Sequence, residues 1–206
     1  MSVLSRLQIS SSTQSVLLLD IDPERRLALE RGLVDSGYAL VEKLTDASKL
    51  LLKVQQYQPD SLVIGIDEPD TIILQQLRLI HDTCPVPVVM FAEKEAPKLI
   101  KTIVKAGVNG FVVNDIQAHR IRPIIDIATA RFIESHKLRI ELEDTKTQLE
   151  GRKLIDRAKG LLMAHRNLSE DEAYRAIRKM AMDKGKPLAE VADTLIDVLT
   201  LLEQNT

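Results

Sequence analysis

Short apolar runs alternate with helical patterns along residues 15–131. The runs are brief and rich in β-branched residues, as expected for parallel strands that are buried on both faces. Between the runs, apolar residues return near the period of a helix, and Leu27, Leu29, Leu33 and Val34 are interpreted as one such face. Strand–helix units in this order predict an α/β fold with a doubly wound, five-stranded parallel sheet. The predicted strands are residues 16–19, 39–41, 62–66, 86–91 and 110–113.

This region resembles the receiver domain of two-component response regulators. VLLLDIDPERR is similar to the family's first strand and its acidic residues, and YQPDSLVIGIDEP is similar to the third strand and the phosphoacceptor turn. PVPVVMFA and KAGVNGFVVND match the fourth and fifth strands. The resemblance implies carboxylates that hold Mg²⁺, an aspartate that accepts a phosphoryl group, and a hydroxyl and a lysine that bind the phosphoryl oxygens.

Most residues that would carry this chemistry are replaced. Asp20 keeps one acidic position, but Ile21 occupies the next, and the phosphoacceptor position falls on Gly65. The hydroxyl position falls on Ala92 and the lysine position on Asn114. Glycine has no nucleophile, isoleucine cannot bind a hard cation, and alanine cannot donate a hydrogen bond. The sequence therefore predicts a receiver-like domain that phosphorylation does not switch.

Asp67 is the alternative phosphoacceptor, with Asp22 in support. A shift of two residues keeps the facing of a strand, but it moves the carboxylate about 6–7 Å along the chain. Asp67 also fits as a turn residue within IDEPD, and we favour that interpretation.

A long polar helix is predicted after the sheet domain, because no glycine or proline occurs between Pro123 and Gly151. Residues 131–153 are dense in both signs of charge, so their narrow apolar stripe needs a partner to be stable. The spacing of the stripe favours a short parallel coiled coil in a homodimer. A solvated spacer helix that folds back on the sheet domain is the alternative. The proposed dimerisation residues are Leu138, Leu142 and Leu149.

The last part of the chain predicts a small all-α domain of three helices. The first helix continues to about His165, and Ser169 with Glu172 forms the capping box of the second. Residues 184–187 break the chain again, and an amphipathic pattern from Leu188 predicts the third helix. The complete division that we predict is a disordered leader at 1–14, the receiver-like domain at 15–130, the coiled-coil linker at 131–150 and the all-α domain at 151–206.

The charge of this domain differs from that of the rest of the chain. Residues 151–187 carry ten Lys and Arg against five Asp and Glu, which is +5, whereas the net charge of −2 leaves −7 for the other residues. A basic module suggests a polyanionic partner, although a solvated helical surface would have the same composition. Arg175, Arg178 and Lys179 are spaced to share one side of the second helix. Tyr174 is either a ring that stacks on an unpaired base or a core residue.

RKLIDRAKGLLMAHRNLSEDEAYRAIRKMAMDKGKPLAEVA is similar to the ANTAR domain, the RNA-binding module of the AmiR and NasR antitermination regulators. AKGLLM, the AY pair before IRKMAM, and the late VA carry the resemblance. By position, it assigns to the first ANTAR helix Ala158, Lys159, Gly160 and Met163, and to the second Tyr174, Arg178 and Ala181. The RNA-binding residues that we predict are Arg157, Ala158, Lys159, Gly160, Met163, Tyr174, Arg175, Arg178 and Lys179.

The order of receiver-like domain, coiled coil and ANTAR domain resembles the NasT and AmiR regulators. It implies a dimer that binds paired stem-loops in leader mRNA and so prevents a terminator hairpin from forming. It also implies control by a ligand-sensing protein similar to NasS or AmiC, with nitrate, nitrite or amide metabolism as the regulated process. The alternatives are a DNA-binding helix-turn-helix regulator and an adaptor whose basic surface meets an acidic protein.

The sequence does not indicate an enzyme. It has no glycine-rich phosphate loop, no nucleophile motif and no CxxC or HExxH spacing, so we predict no catalytic residue, no metal site and no cofactor. Cys84 is the single cysteine, which fits a reducing cytosol. No apolar stretch approaches the roughly 20 residues of a membrane helix. We therefore predict a cytoplasmic protein without a membrane partner.

Overall fold

The structure is a computed structural model that describes residues 13–94, 97–113 and 117–203. The chain divides into two compact units, Met1–His136 and Lys137–Thr206, and each is described separately. Residues 1–12 of the predicted leader and the predicted lysine position, Asn114, lie outside the described residues. The separate linker segment at 131–150 stays a prediction.

The first unit contains a five-stranded parallel sheet in the order β2-β1-β3-β4-β5, which confirms the predicted fold class. Its strands are β1 (Ser15–Asp20), β2 (Ala39–Leu44), β3 (Ser61–Gly65), β4 (Val88–Ala92) and β5 (Gly110–Val113). Its helices are α1 (Pro23–Asp35), α2 (Leu50–Tyr57), α3 (Thr71–Thr83) and α4 (Ile100–Lys105), and a 3₁₀ turn at Ala47–Lys49 precedes α2.

The core of this unit lies on both faces of the sheet. The central strands β1, β3 and β4 are almost completely buried, as their continuous apolar runs predict. The face predicted for α1 was wrong in part. Leu29 and Leu33 are fully buried, whereas Leu27 and Val34 are exposed. Positions 27 and 29 are separated by two residues, or about 200° around a helix, so they cannot share a face.

The second unit is all-α, as predicted. Helix α5 (Ala118–Arg166) begins in the first unit and continues into the second, where α6 (Glu170–Lys184) and α7 (Leu188–Glu203) follow. Ser169 and Glu172 form the predicted capping box at the start of α6, and Gly185 ends that helix in the left-handed region at a φ of 61°. Residues from all three helices form the core, including Ala158, Ile177 and Ile196.

No described helix combines the length and the apolar character that a membrane crossing requires.

Candidate nucleic-acid interface and degenerate receiver site

The carboxyl ends of β1 and β3 lie side by side at the predicted phosphorylation site. Asp20 is the last residue of β1 and pairs in register with Gly65, the last residue of β3. A Cβ atom on Gly65 would lie 1.8 Å from Asp20 Oδ2 and 2.9 Å from Arg25 Nε. The phosphoacceptor position therefore lacks a nucleophile, and it also lacks the space for one.

The space beside Gly65 is filled by Arg25, from the first turn of α1. Its Nε donates to Asp20 Oδ2 at 2.8 Å, and its Nη2 donates to Asp20 Oδ1 at 3.0 Å. Its Nη1 reaches Asp67 Oδ2 at 3.2 Å. The Arg25 side chain is 5% exposed and the Asp20 side chain is fully buried. Burial lowers the pKa of Arg25, but the hydrogen bonds and charges of Asp20 and Asp67 outweigh it, and the pKa lies above its ordinary value.

Asp67 connects this ion pair to the loop after β4. Its Oδ1 accepts a hydrogen bond from the backbone N–H of Glu93 at 2.6 Å, and its Oδ2 accepts from Arg25. Partial burial raises the pKa of Asp67, but these hydrogen bonds and the Arg25 charge outweigh that effect and hold the pKa below its ordinary value. Both carboxylate oxygens are therefore engaged, which disfavours Asp67 as a phosphoacceptor.

The remaining described residues of the degenerate site form no alternative centre. Asp22 caps α1, because its side chain accepts hydrogen bonds from the backbone N–H groups of Glu24 and Arg25. Ile21 is exposed, and Ala92 is buried at the end of β4. Among the described residues, no group of three His, Cys, Asp or Glu side chains is placed to hold a metal ion.

In the second unit, the outer face of α6 carries exposed cations. Ala173, Ile177 and Ala181 face the core, whereas Arg175, Arg178 and Lys179 are exposed. We call these three exposed side chains the α6 cation face. Arg178 and Lys179 form no ion pair with another residue in the described ranges. Their charges are therefore available to a ligand.

Two large side chains accompany the α6 cation face. Tyr174 is exposed, so its ring is accessible and is not a core residue. Met182 lies one turn beyond Arg178 and is 73% exposed, which is high for an apolar side chain. The sequence-based prediction missed Met182. Its spacing of four residues from Arg178 was the signal that could have placed it on this face.

The first turn of α6 has the opposite charge. Glu170, Asp171 and Glu172 lie at the positive end of the helix dipole, where carboxylates are favoured. Hydrogen bonds from the Ser169 side chain and backbone hold the pKa of Glu172 below its ordinary value. Helix α6 is therefore acidic at its start and basic in its middle.

Lys159 differs from the cations of α6 because it is paired within the unit. Its Nζ lies 2.8 Å from Asp156 Oδ1 and 2.7 Å from Glu170 Oε1, and its side chain is only 16% exposed. Hydrogen bonds to Asp156 and Glu170 raise the pKa of Lys159. Lys159 thus connects α5 to the first turn of α6. An RNA contact through its ammonium group would compete with these two carboxylates.

The two small residues of the AKGLLM segment, Ala158 and Gly160, lie in different environments. Ala158 is fully buried in the three-helix core, so it packs within the unit, and its place among the RNA-binding residues stays a prediction. Gly160 is exposed, and a Cβ atom there would meet nothing within 4 Å. Met163 and Arg157 are also exposed. Gly160 therefore shows no close packing against another part of the described chain.

The predicted dimerisation stripe is exposed on α5. Leu138, Leu142 and Leu149 are all more than half exposed, which leaves them available to a second helix. The period of the helix places Gly160 on the same side as this stripe and away from Ala158. The structure therefore does not bring every predicted RNA-binding residue onto one surface.

The sequence of the second unit matches a known domain family. Residues 143–196 match the ANTAR domain. The C-terminal module is an ANTAR domain. Its match begins within the segment that we predicted as the linker. The chain is also 26% identical over 184 residues to the transcriptional regulatory protein PdtaR of Mycobacterium tuberculosis, which covers 89% of this chain and 90% of the relative.

Two further relatives are regulators. The chain is 26% identical over 147 residues to the aliphatic amidase regulator of Pseudomonas aeruginosa, covering 67% of this chain and 74% of the relative. It is 43% identical over 80 residues to the nitrate regulatory protein of Klebsiella oxytoca, covering 39% of this chain and 20% of the relative. These three relatives are thus all named as regulators.

Solved structures establish the fold of the first unit. The signal receiver domain of the response regulator NarL from Mycobacterium tuberculosis superimposes with a TM-score of 0.51 and 18% identity, covering 57% of this chain and 97% of the receiver. A CheY-like receiver domain protein from Methanospirillum hungatei gives a TM-score of 0.52 and 16% identity, covering 60% of this chain and 99% of the receiver protein. The first unit therefore has the receiver fold.

Proposed function

We propose that this protein is a transcription antiterminator that binds tandem stem-loops in leader mRNA through its ANTAR domain. The observation that carries the proposal is the α6 cation face, where Arg178 and Lys179 are exposed and unpaired within the described chain. An ion pair inside the module would have neutralised these charges. Left free, they favour a polyanion.

The neighbouring side chains suit a hairpin loop. Sequence-specific RNA recognition uses unpaired bases that stack on exposed rings, and phosphate contacts fix the position of the RNA. Tyr174 offers such a ring, and Arg175, Arg178 and Lys179 offer the phosphate or base-edge contacts. Arg157, Lys159, Gly160 and Met163 remain proposed contacts on α5, with the pairing of Lys159 as a competing role.

A homodimer would suit a target with two hairpins. Leu138, Leu142 and Leu149 supply an exposed apolar stripe for a coiled coil with a second copy. Two hairpin contacts in one dimer share a high effective concentration, so each contact need only be weak.

Control by a sensor protein is the second part of the proposal. The relatives are named for amidase and nitrate regulation, which supports a ligand-sensing partner in amide, nitrate or nitrite metabolism. Phosphorylation is disfavoured, because Gly65 has neither a nucleophile nor space for one. Incubation with acetyl phosphate and Mg²⁺ should add no mass to the intact protein. A gain of one phosphoryl group would contradict the absence of phosphorylation and would leave the proposed RNA binding untouched.

A gel-shift comparison tests the proposed function. The full chain should retard the leader RNA upstream of its target gene at lower concentration than the same sequence as duplex DNA, and the affinity should fall steeply with salt. An RNA with both hairpin loops replaced is the matched control and should bind weakly. Tighter binding to the duplex would support the helix-turn-helix alternative, and the proposal would fail.

A further inference from the structure

The charged cluster at the carboxyl edge of the sheet forms a continuous chain of contacts. Asp20 at the end of β1 binds Arg25, Arg25 binds Asp67 in the loop after β3, and Asp67 accepts from the backbone N–H of Glu93 after β4. The buried guanidinium thus joins the ends of β1 and β3, and Asp67 extends the connection to the loop after β4. None of these residues lies within the ANTAR match at residues 143–196.

We propose that Arg25 is a built-in cation that takes the place of a divalent metal ion between Asp20 and Asp67 and, through Asp67, holds the loop after β4 in one position. A buried carboxylate requires a positive partner, because its desolvation is costly. Asp20 is fully buried, and the bidentate guanidinium is the cation that it contacts. An arginine is suited to this role because it stays protonated at any physiological pH.

The position of Gly65 supports this assignment. Any side chain there would collide with the Asp20 carboxylate and crowd Arg25 Nε. The absence of a side chain at Gly65 therefore makes room for the ion pair between Asp20 and Arg25. The loss of the phosphoacceptor and the gain of an internal cation are then a single structural change.

The neighbouring arginine shows that the assignment is specific to Arg25. Arg26 Nη1 donates to the backbone carbonyl oxygen of Asp20 at 3.2 Å, and its Nε lies 3.8 Å from Glu30 Oε1. It makes no contact with the Asp20 carboxylate, and a quarter of its side chain is exposed. Arg26→Gln is thus a control with the same change of charge, one residue away on the same helix.

The first experiment compares the parent, Arg25→Gln and Arg26→Gln as full chains, by thermal unfolding with and without MgCl₂. We expect no response to Mg²⁺ from the parent or from Arg26→Gln. Arg25→Gln should lower Tm by about 10 °C, and Mg²⁺ should restore part of that loss because it can occupy the vacated place between the carboxylates. A folded Arg25→Gln protein without a Mg²⁺ response would overturn the proposal, as would a Mg²⁺ response in the parent.

A second variant tests the chain of contacts if Arg25→Gln does not fold. Asp67 is 29% exposed, so Asp67→Ala should be tolerated. Hydrogen exchange should become about tenfold faster in the segment after β4 that contains Glu93, because its N–H group loses its acceptor. Asp46→Ala, which removes the cap of the 3₁₀ turn in the same unit, should leave that segment unchanged. Unchanged exchange in Asp67→Ala would overturn the proposal.

Discussion

The two units of this protein use arginine in opposite ways. Arg25 is buried and holds two carboxylates, whereas Arg178 is exposed and makes no ion pair with any other described residue. The first arginine satisfies charges within the domain, and the second leaves a charge for a ligand. Cationic residues therefore indicate function only when their partners are known, because a count of charges treats the two alike.

Two glycines repeat this contrast. Gly65 is crowded by Asp20 and Arg25, and Gly160 has open space where a side chain would be. The first is required by the packing of the receiver-like unit. The second costs helix stability without any packing benefit in the described chain, which suggests that something outside the chain approaches it.

The largest effect is expected from Gly65→Asp, which restores the missing phosphoacceptor residue. The new side chain would collide with Asp20 and add a like charge, so we expect a loss of about 3 kcal/mol or more in the free energy of unfolding. Urea denaturation of the full chain measures it. A stable Gly65→Asp protein that becomes phosphorylated would show that the site is intact and lacks only its nucleophile.

The next effect concerns the α6 cation face. The double substitution Arg178→Ala/Lys179→Ala should weaken leader RNA binding about 100-fold, because two phosphate or base contacts are lost. Helicity by circular dichroism should not change, since both side chains are exposed. Lys146→Ala removes an exposed cation elsewhere in the same unit and serves as the control. Equal binding by parent and double variant would contradict the role of this face.

A smaller effect is expected from Gly160→Ala. Alanine is favoured over glycine within a helix by about 1 kcal/mol, and nothing within 4 Å opposes the new methyl group. The ANTAR domain should therefore become more stable towards urea. If RNA or a second copy approaches this position closely, binding should weaken in the same variant. A loss of stability would instead reveal a packing role.

The smallest effect is a dependence on acid pH. Because the pKa of Asp67 is lowered on folding, its ionisation stabilises the folded state above the unfolded pKa of about 3.9, and this contribution is lost as pH falls through the folded pKa. Asp67→Asn should reduce the slope of stability against pH below about pH 4. Stability curves of parent and variant from pH 2 to 7 measure it. Parallel curves would contradict the coupling of Asp67 to Arg25 and Glu93.

The sequence predicted the fold because the strands of the sheet are continuous apolar runs and the helix ends of the second unit carry recognisable caps. The capping box of Ser169 with Glu172 and the break before Pro187 are local signals, which the sequence shows without knowledge of the fold. The error at Leu27 and Val34 arose because four apolar residues in one helix were assigned to one face without regard to their angles.

The long-range contacts could not be predicted in this way. Arg25 looks like a solvated helix residue in PERR, and only the folded sheet brings Asp67 to it from 42 positions away. Lys159 likewise looks like a free cation until α6 places Glu170 beside it. Side-chain partners of this kind depend on how helices and strands pack, which the pattern of apolar positions does not specify.

The acidic first turn of α6 has a consequence for how an RNA could lie on the ANTAR domain. Glu170, Asp171 and Glu172 repel phosphates, and the cations within the following two turns attract them. A strand that lay the full length of the helix would meet both fields, so it is expected to leave the helix axis before the first turn. Reversing the direction of the RNA strand leaves its phosphate charges in place, whereas shifting the strand along α6 moves phosphates from the cations towards the acidic turn. Electrostatics therefore sets the register of the bound backbone more than its direction.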